Sequence, residues 1–328
     1  MKLVCYAADD GPRAGVLEGT DVLDVTGLLR EPTPVQDLQA LLTLPYDGLG
    51  RLAEQVGQGP PASCTRIAAP RLLPPVLRPP TIRDHIAYEE HATRNFTRTL
   101  AEVWRRRPVH YFSNPSRLFA SGTAVPMPAS ERLDYELEIA VVVGRECSDL
   151  TLDDALSCVA GFTILNDWSA RDLQADEMAY GLGPAKGKDF ATSLGPCVVT
   201  LDEIRPHLTT GTLDAGCTVR VNGQTWAESN AVGMFHTWAA MLKHASQDGR
   251  LLPGDVIAGG TVGRCSIGEA LRLGVPAHYL QPGDEVELEV EHIGVLANRI
   301  GPPGGLPADQ KYWAAELPPM PQPKQEEV

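Results

Sequence analysis

The chain runs to 328 residues, 43% apolar and 21% charged, enough to bury a substantial core and unlike a disordered, collagenous or coiled-coil composition. Its 28 Lys and Arg against 42 Asp and Glu give a net charge of −14, a field that repels phosphate backbones and anionic lipid and argues against nucleic acid or a membrane as partner. No run approaches the roughly 18 to 20 apolar residues of a membrane span, and the opening MKLVCYAADDGPR has too short an apolar core for a signal peptide, so the cytoplasm is the expected compartment.

Residues 2 to 28 alternate short apolar runs with Gly and Asp turns, the pattern of small antiparallel strands. A helical stretch is predicted near Val35 to Gln55. The proline-dense segment Pro70 to Pro80 predicts an extended connector, which divides a small N-terminal domain, 1–75, from a larger one, 76–300. Ile82 to Thr99 reads as helix. From Leu133 onward apolar runs alternate with turns: Leu137 to Val143, Cys158 to Leu165, Cys197 to Leu201, Cys217 to Val221, Val256 to Ala258 and Val286 to Val290. Helical patterns are sparser, at Leu152 to Val159, Ala170 to Ala179 and Val232 to Ala245. The distribution predicts a β-rich α+β fold whose strands close into a barrel or roll, not a doubly wound sheet. Residues 301–328 read as a Pro/Gly-rich tail with Tyr312 and Trp313 as a docking point. The cysteines, at 5, 64, 147, 158, 197, 217 and 265, show no CxxC or zinc spacing and read as buried reduced thiols. The sequon Asn95-Phe96-Thr97 would matter only in a secreted chain and is taken as chance.

Chemistry concentrates in four segments. In Asp134-Tyr135-Glu136-Leu137-Glu138-Ile139-Ala140-Val141 alternation puts Glu136 and Glu138 on one strand face, their Cα atoms roughly 6.6 Å apart. An exposed edge strand would tolerate the pair, but the run on into Val142-Val143 favours an inner strand, where two carboxylates need a cation. In Asn166-Asp167-Trp168-Ser169-Ala170-Arg171-Asp172-Leu173-Gln174 an apolar strand ends, Asn166 or Asp167 can cap a helix, and Asp167, Arg171 and Gln174 share one helical stripe. A capping Asp with a salt bridge would also produce this pattern. In Asp84 to Arg94, Asp84 and His91 stand seven apart; on a helix they share a face about 10.5 Å apart along the axis, too far for one ion but suited to neighbouring roles. The fourth, Gly181-Leu182-Gly183-Pro184-Ala185-Lys186-Gly187-Lys188-Asp189-Phe190, is Gly-rich and basic but no phosphate loop, since Asp189 stands where Ser or Thr is required. Elsewhere, Tyr111 to Pro115 reads as a strand end with a turn or as a wall of the substrate site. His110, His207, His236, His244, His278 and His292 read as surface or packing residues, and Arg105 to Arg107 as a solvated loop.

Taken together and in this order, the segments resemble the fumarylacetoacetate hydrolase family from about Pro79 to Ile300. Ala258-Gly259-Gly260-Thr261 resembles its GT turn, and Ile293 to Arg299 its closing IGxLxNR strand. The resemblance implies that Glu136, Glu138 and Asp167, with Asp84 as fourth carboxylate, hold a metal, and that His91 is the general base. It assigns Arg171, Gln174 and Lys188 to substrate polarisation and the oxyanion, and Thr261 to a substrate carboxylate. Glu269 aligns as the acidic partner of His91, behind a shorter loop than in fumarylacetoacetate hydrolase. Ile86 stands where the family has a pocket Tyr, so the far end of the substrate is expected to differ. Hard oxygen donors alone suit Mg²⁺ first, with Ca²⁺ or Mn²⁺ possible, over Zn²⁺ or Cu²⁺.

The implied activity is metal-dependent hydrolysis of a C–C bond in a 1,3-diketo acid, an acylpyruvate or fumarylacetoacetate-like compound, with a small anionic oxo acid as the partner and a homodimer as the assembly. The alternative is a decarboxylase, isomerase or lyase acting on a 2-oxo acid through an enolate. A non-catalytic metal-binding protein is the reading from outside the enzymes.

Overall fold

A computed structural model of the chain describes residues 1–62, 64–94, 97 and 99–304. Its larger sheet runs Arg66–Ala68, Asp21–Asp24, Gly11–Glu18, Lys2–Ala8, Thr192–Thr200, Val159–Asn166, Glu136–Val143, Val256–Ser266, Ile82–His85, His110–Ser113. A second sheet runs Gln224–Asn230, Gly216–Val221, Glu285–Val290, Gly294–Pro303, Ala124–Met127. The β-rich α+β reading holds, but neither sheet path returns on itself, so the expected closed barrel is replaced by open sheets. The N-terminal strands join the larger sheet directly, Lys2 and Leu3 pairing with Val199 and Val198.

Burial pattern follows sequence pattern strand by strand. Glu136–Val143 and Val159–Asn166 are buried at every residue: their mostly apolar, β-branched runs are covered on both faces, and the polar Glu136, Glu138, Thr163 and Asn166 are buried with them. Gly216–Val221 and Glu285–Val290 alternate buried and partly exposed residues, one face on the core and one toward water.

Helices depart from the sequence reading where local stop signals or strand pairing intervene. The stretch 35–55 splits into Leu38–Leu42 and Gly48–Gln58, each capped by an aspartate, Asp37 and Asp47, with Pro45 between them barring continuation. Within 152–159 only a 3₁₀ turn, Ala155–Cys158, forms, because Val159 already belongs to a strand. The helix expected from Val232 starts at Trp238, where the Thr237 hydroxyl accepts the Ala240 N–H at 3.2 Å. Arg105 and Arg106 close a short helix, Glu102–Arg106, and are solvent-facing.

The largest correction concerns 82–99. Ile82–His85 is a strand, parallel to Val256–Ser266 and antiparallel to His110–Ser113, and among the described residues of this stretch only Glu89–Ala92 is helical. Residues 301–303 continue the last strand beside Ala124–Met127. Tyr312 and Trp313 lie outside the described residues, as do Asn95 and Phe96 of the sequon. Among the described residues no helix is long and apolar enough to cross a membrane. The cysteines are free thiols, all buried except half-buried Cys64.

Candidate active site

Four segments of the larger sheet converge at one end of the strand Glu136–Val143. This strand lies between Val159–Asn166 and Val256–Ser266, so the ExE pair sits on an inner strand, Glu136 4% and Glu138 1% exposed. Asp84 arrives on Ile82–His85, paired with Ala258, and Asp167 immediately follows Asn166, its N–H donating to the Glu136 carbonyl at 3.2 Å. Gly260 lets these strands crowd together: its φ is +83°, and a Cβ there would lie 2.5 Å from the His85 carbonyl oxygen.

Asp84, Glu138 and Asp167 offer carboxylate oxygens within 4.8 Å of one another. Asp84 Oδ1, Glu138 Oε2 and Asp167 Oδ1 are buried with no hydrogen-bond partner. Buried polar atoms are rarely left so, and three hard oxygens gathered this closely are the donor set of a Mg²⁺-like cation. Burial first, then the neighbouring carboxylates, pushes Asp84 and Glu138 well above the usual carboxylate range. A bound cation reverses both effects. Tyr111 Oη places its proton between Asp167 Oδ2, at 2.6 Å, and Asp84 Oδ2, at 3.0 Å, and Thr261 Oγ1 stands 3.5 Å from Glu138 Oε1.

Glu136 lies beside this trio in a different environment. Its Oε1 accepts from Arg171 Nη2 at 2.7 Å and its Oε2 from Lys188 Nζ at 2.5 Å. Burial pushes its carboxyl up, but the two cations outweigh burial and hold it well below the ordinary range. Lys188 also donates to Asp167 Oδ2. Burial would discharge the Lys188 ammonium, yet Asp167 and Glu136 more than offset this and raise its pKa.

His91 sits in the one-turn helix Glu89–Ala92, and its Nδ1 lies 3.0 Å from Glu269 Oε2. Glu269, 0% exposed, also accepts from Ser266 Oγ at 2.9 Å and from the Arg264 N–H at 3.1 Å, contacts that fix it as an acceptor. Burial raises the Glu269 carboxyl, but the His91 hydrogen bond and charge prevail and lower it. The other ring nitrogen, Nε2, lies 3.7 Å from Glu136 Oε1. A base and an acid separated by 178 residues in sequence therefore meet beside the carboxylates.

Asp167, Arg171 and Gln174 share the space but not a helix. The helix spans Arg171–Tyr180, with Ala170 at its N-cap and no side-chain cap. Asn166 is unavailable as a cap because its Oδ1 accepts the Glu136 N–H at 3.0 Å, and Asp167 turns inward. Gln174 Oε1 accepts from Arg171 Nη1 at 3.0 Å. A cavity of ≈ 280 Å³ lined by Tyr111, Phe112, Asn114, Ala185, Lys186 and Lys188 borders the cup through Tyr111 and Lys188.

The fumarylacetoacetate (FAA) hydrolase C-terminal family matches residues 81–301. The chain belongs to the fumarylacetoacetate hydrolase family. Mitochondrial oxaloacetate tautomerase FAHD2A of Bos taurus is 36% identical over 176 residues, 53% of this chain and 52% of that protein, so the chain spans about half the length of such curated relatives. The uncharacterized protein PYRAB13970 of Pyrococcus abyssi is 31% identical over 216 residues, 65% of this chain and 86% of that one. Among solved structures, the fumarylacetoacetate hydrolase of the psychrophile Exiguobacterium antarcticum superposes with a TM-score of 0.70 at 25% identity, covering 92% of this chain and 99% of that one. Maleylpyruvate hydrolase of Sphingobium sp. SYK-6, solved with manganese(II) and pyruvate, shares the fold with a TM-score of 0.69 at 21% identity, covering 93% and 100%. This enzyme family thus includes hydrolases and tautomerases.

One residue of the site escaped the sequence reading, and a second was placed at the substrate but not at the carboxylates. Asp134, fully buried, holds Arg171 Nε at 2.8 Å; an acid just before an apolar strand was the available signal. Tyr111, read as turn or wall, reaches the carboxylates themselves because Ile82–His85 and His110–Ser113 pair Asp84 with Tyr111.

Proposed function

We propose that the chain is a divalent-cation-dependent hydrolase that cleaves a C–C bond of a 1,3-diketo acid such as an acylpyruvate. The observation that carries this reading is the His91–Glu269 pair, whose Nε2 stands at the edge of the carboxylate cup, 3.7 Å from Glu136 Oε1. Asp84, Glu138 and Asp167, with Glu136 beside them, would hold the cation, and the unpartnered oxygens of the first three support that fit. Lys188 and Arg171 offset only part of the charge of these carboxylates, and Arg171 is shared with Asp134, so the cup keeps a net negative charge for a divalent ion to balance. When bound, Mg²⁺, or Ca²⁺ or Mn²⁺ in its place, would supply the charge that favours the enolate form of a 2-oxo acid.

Glu269 fixes the His91 ring through Nδ1, leaving Nε2 to take a proton from water, whose oxygen attacks the distal carbonyl carbon. Two of the Lys188 ammonium's three protons are taken by Glu136 and Asp167, and the third can donate to the developing alkoxide. Arg171, held in place by Asp134 and Glu136, and the Gln174 amide donate alongside it. Each such donor contributes about 2.7 to 4 kcal/mol in comparable oxyanion sites. Collapse of the alkoxide breaks the C–C bond, giving a carboxylic acid and an enolate, which takes back the proton that His91 removed from water and becomes the 2-oxo acid. Thr261 and Tyr111 border the substrate. A homodimeric form belongs to the same reading and rests on the family resemblance, and a cytoplasmic location rests on the short apolar core of the opening segment.

A second reading, tautomerisation or decarboxylation of a 2-oxo acid, is favoured by the 36% identity to an oxaloacetate tautomerase. It needs an enolate but no water-activating base. The two separate in a panel of acylpyruvates, fumarylacetoacetate and oxaloacetate assayed with Mg²⁺ and after chelation. Release of two acids from a diketo acid supports hydrolysis, whereas enol–keto interconversion of oxaloacetate with no diketo-acid cleavage supports the second reading.

A further inference from the structure

The carboxylate of Asp134 is buried at 0% exposure, and each of its oxygens is engaged as an acceptor. Oδ2 accepts from Arg171 Nε and lies 2.8 Å from Arg171 Nη2. Oδ1 accepts the Ile267 N–H at 2.7 Å, and Oδ2 also takes the Gly268 N–H at 3.3 Å. Ile267 and Gly268 open the short helix Ile267–Arg272, whose first turn carries Glu269, the partner of His91. One side chain thus touches, on one side, the guanidinium that holds Glu136 and, on the other, the backbone that sets the acid of the dyad.

We infer that Asp134 is a positioning residue that ties Arg171 to the Glu269–His91 pair, so that one carboxylate sets both the oxyanion donor and the orientation of the base. Strand pairing puts it there. Asp134 pairs with Ser169 just before Arg171, the Arg171 N–H donates to the Arg132 carbonyl at 3.0 Å, and Glu136 pairs with Ser266 just before Ile267. A buried carboxylate that accepts from a guanidinium and two amides has little freedom to rotate, and its partners share that rigidity. The inference rests on the proposed function for the roles of Arg171 and His91, but the linkage itself does not.

The test therefore has two arms. Asp134→Asn preserves size and one carbonyl oxygen but turns an NH₂ toward Arg171 or toward the Ile267 N–H, so a donor faces a donor. The expected result is a loss of ~10²-fold in kcat with KM changed less than threefold, because oriented donors act mainly in the transition state. The second arm needs no substrate and covers an Asp134→Asn protein that fails to fold. In Arg171→Gln, Asp134 loses its guanidinium anchor, and the Ile267 and Gly268 amides are expected to exchange hydrogen at least tenfold faster than in wild type, with the Val141 amide unchanged. A kcat within twofold of wild type in folded Asp134→Asn, or unaltered exchange at Ile267 and Gly268 in Arg171→Gln, overturns the linkage. If wild type turns over none of the oxo acids, the hydrolase reading falls and the exchange arm alone decides the role of Asp134.

Discussion

The strand Glu136–Val143 has two chemically opposite ends on one buried backbone. At its start Glu136 and Glu138 face Asp84, Asp167 and Lys188, and carboxylate oxygens are left without partners. At its other end Val141 and Val143 pack with Phe162 and Trp238, while Val142, on the opposite face, meets Leu3 and Val198. The far end needs no ligand, since apolar burial contributes roughly 25 cal/mol per Å² whatever is bound. Like charges crowd the near end, which a bound cation relieves. Stability and activity are therefore separable along a single strand.

The largest effect expected at the near end is from chelation. EDTA treatment abolishes turnover, Mg²⁺ or Mn²⁺ restores it, and Glu138→Ala mimics chelation while melting as a folded protein. Full activity in cation-free enzyme would break the comparison at its strongest point. Next, His91→Ala lowers the rate of C–C hydrolysis by ~10²–10⁴ without weakening cation binding; near-wild-type turnover would move the function toward enolate chemistry. Lys188→Met leaves Glu136 and Asp167 without their shared ammonium, and steady-state kinetics should show a loss of ~10²-fold, chiefly in kcat. Were Lys188 only an ion-pair partner, turnover would be unchanged.

The far end answers differently. Phe162 stacks edge-on against Trp238 with ring centroids 5.3 Å apart, and Phe162→Ala lowers unfolding free energy by about 3–5 kcal/mol while the remaining folded enzyme keeps its kcat. Denaturant titration with parallel activity assays checks this. The smallest effect lies behind the Asp84 strand, where burial, then His244 and Arg83, depress His110 from 6.5 to about 4. Between those values the unfolded chain binds a proton that the folded chain refuses, so stability present above pH 6.5 is lost as pH falls toward 4. His110→Gln should flatten that part of the stability–pH curve, measured by melting temperature.

Most of the near end was readable because it depends on local alternation. The ExE pair needed only a period of two and an apolar continuation to be placed on an inner strand, and the structure puts it there. The roles of Asp84 and His91 came from the family resemblance, while the helical reading of 82–99 that put them on one face fails: pairing with Val256–Ser266 and His110–Ser113 overrides the local propensity of a four-residue segment. The two residues still meet the cup, one from a strand and the other from a one-turn helix. Asp167 likewise was placed on a helical stripe yet reaches the cup from a strand end. Asp134 gave only one local signal, an acid just before an apolar strand; its role was not legible, since its partners Arg171, Ile267 and Gly268 lie 37 to 134 positions away and no periodicity reports such a meeting.

Calorimetric titration of Mn²⁺ into cation-free wild type and Glu138→Gln tests the central claim, that Asp84, Glu138 and Asp167 form a cation site, without requiring the substrate to be known. Wild type is expected to bind one equivalent per chain with a rise in melting temperature, and Glu138→Gln to bind at least tenfold more weakly with its cation-free melting temperature unchanged or raised, because a repelling charge has gone. Equal Mn²⁺ affinity in the two proteins, or no saturable binding to wild type, would contradict it.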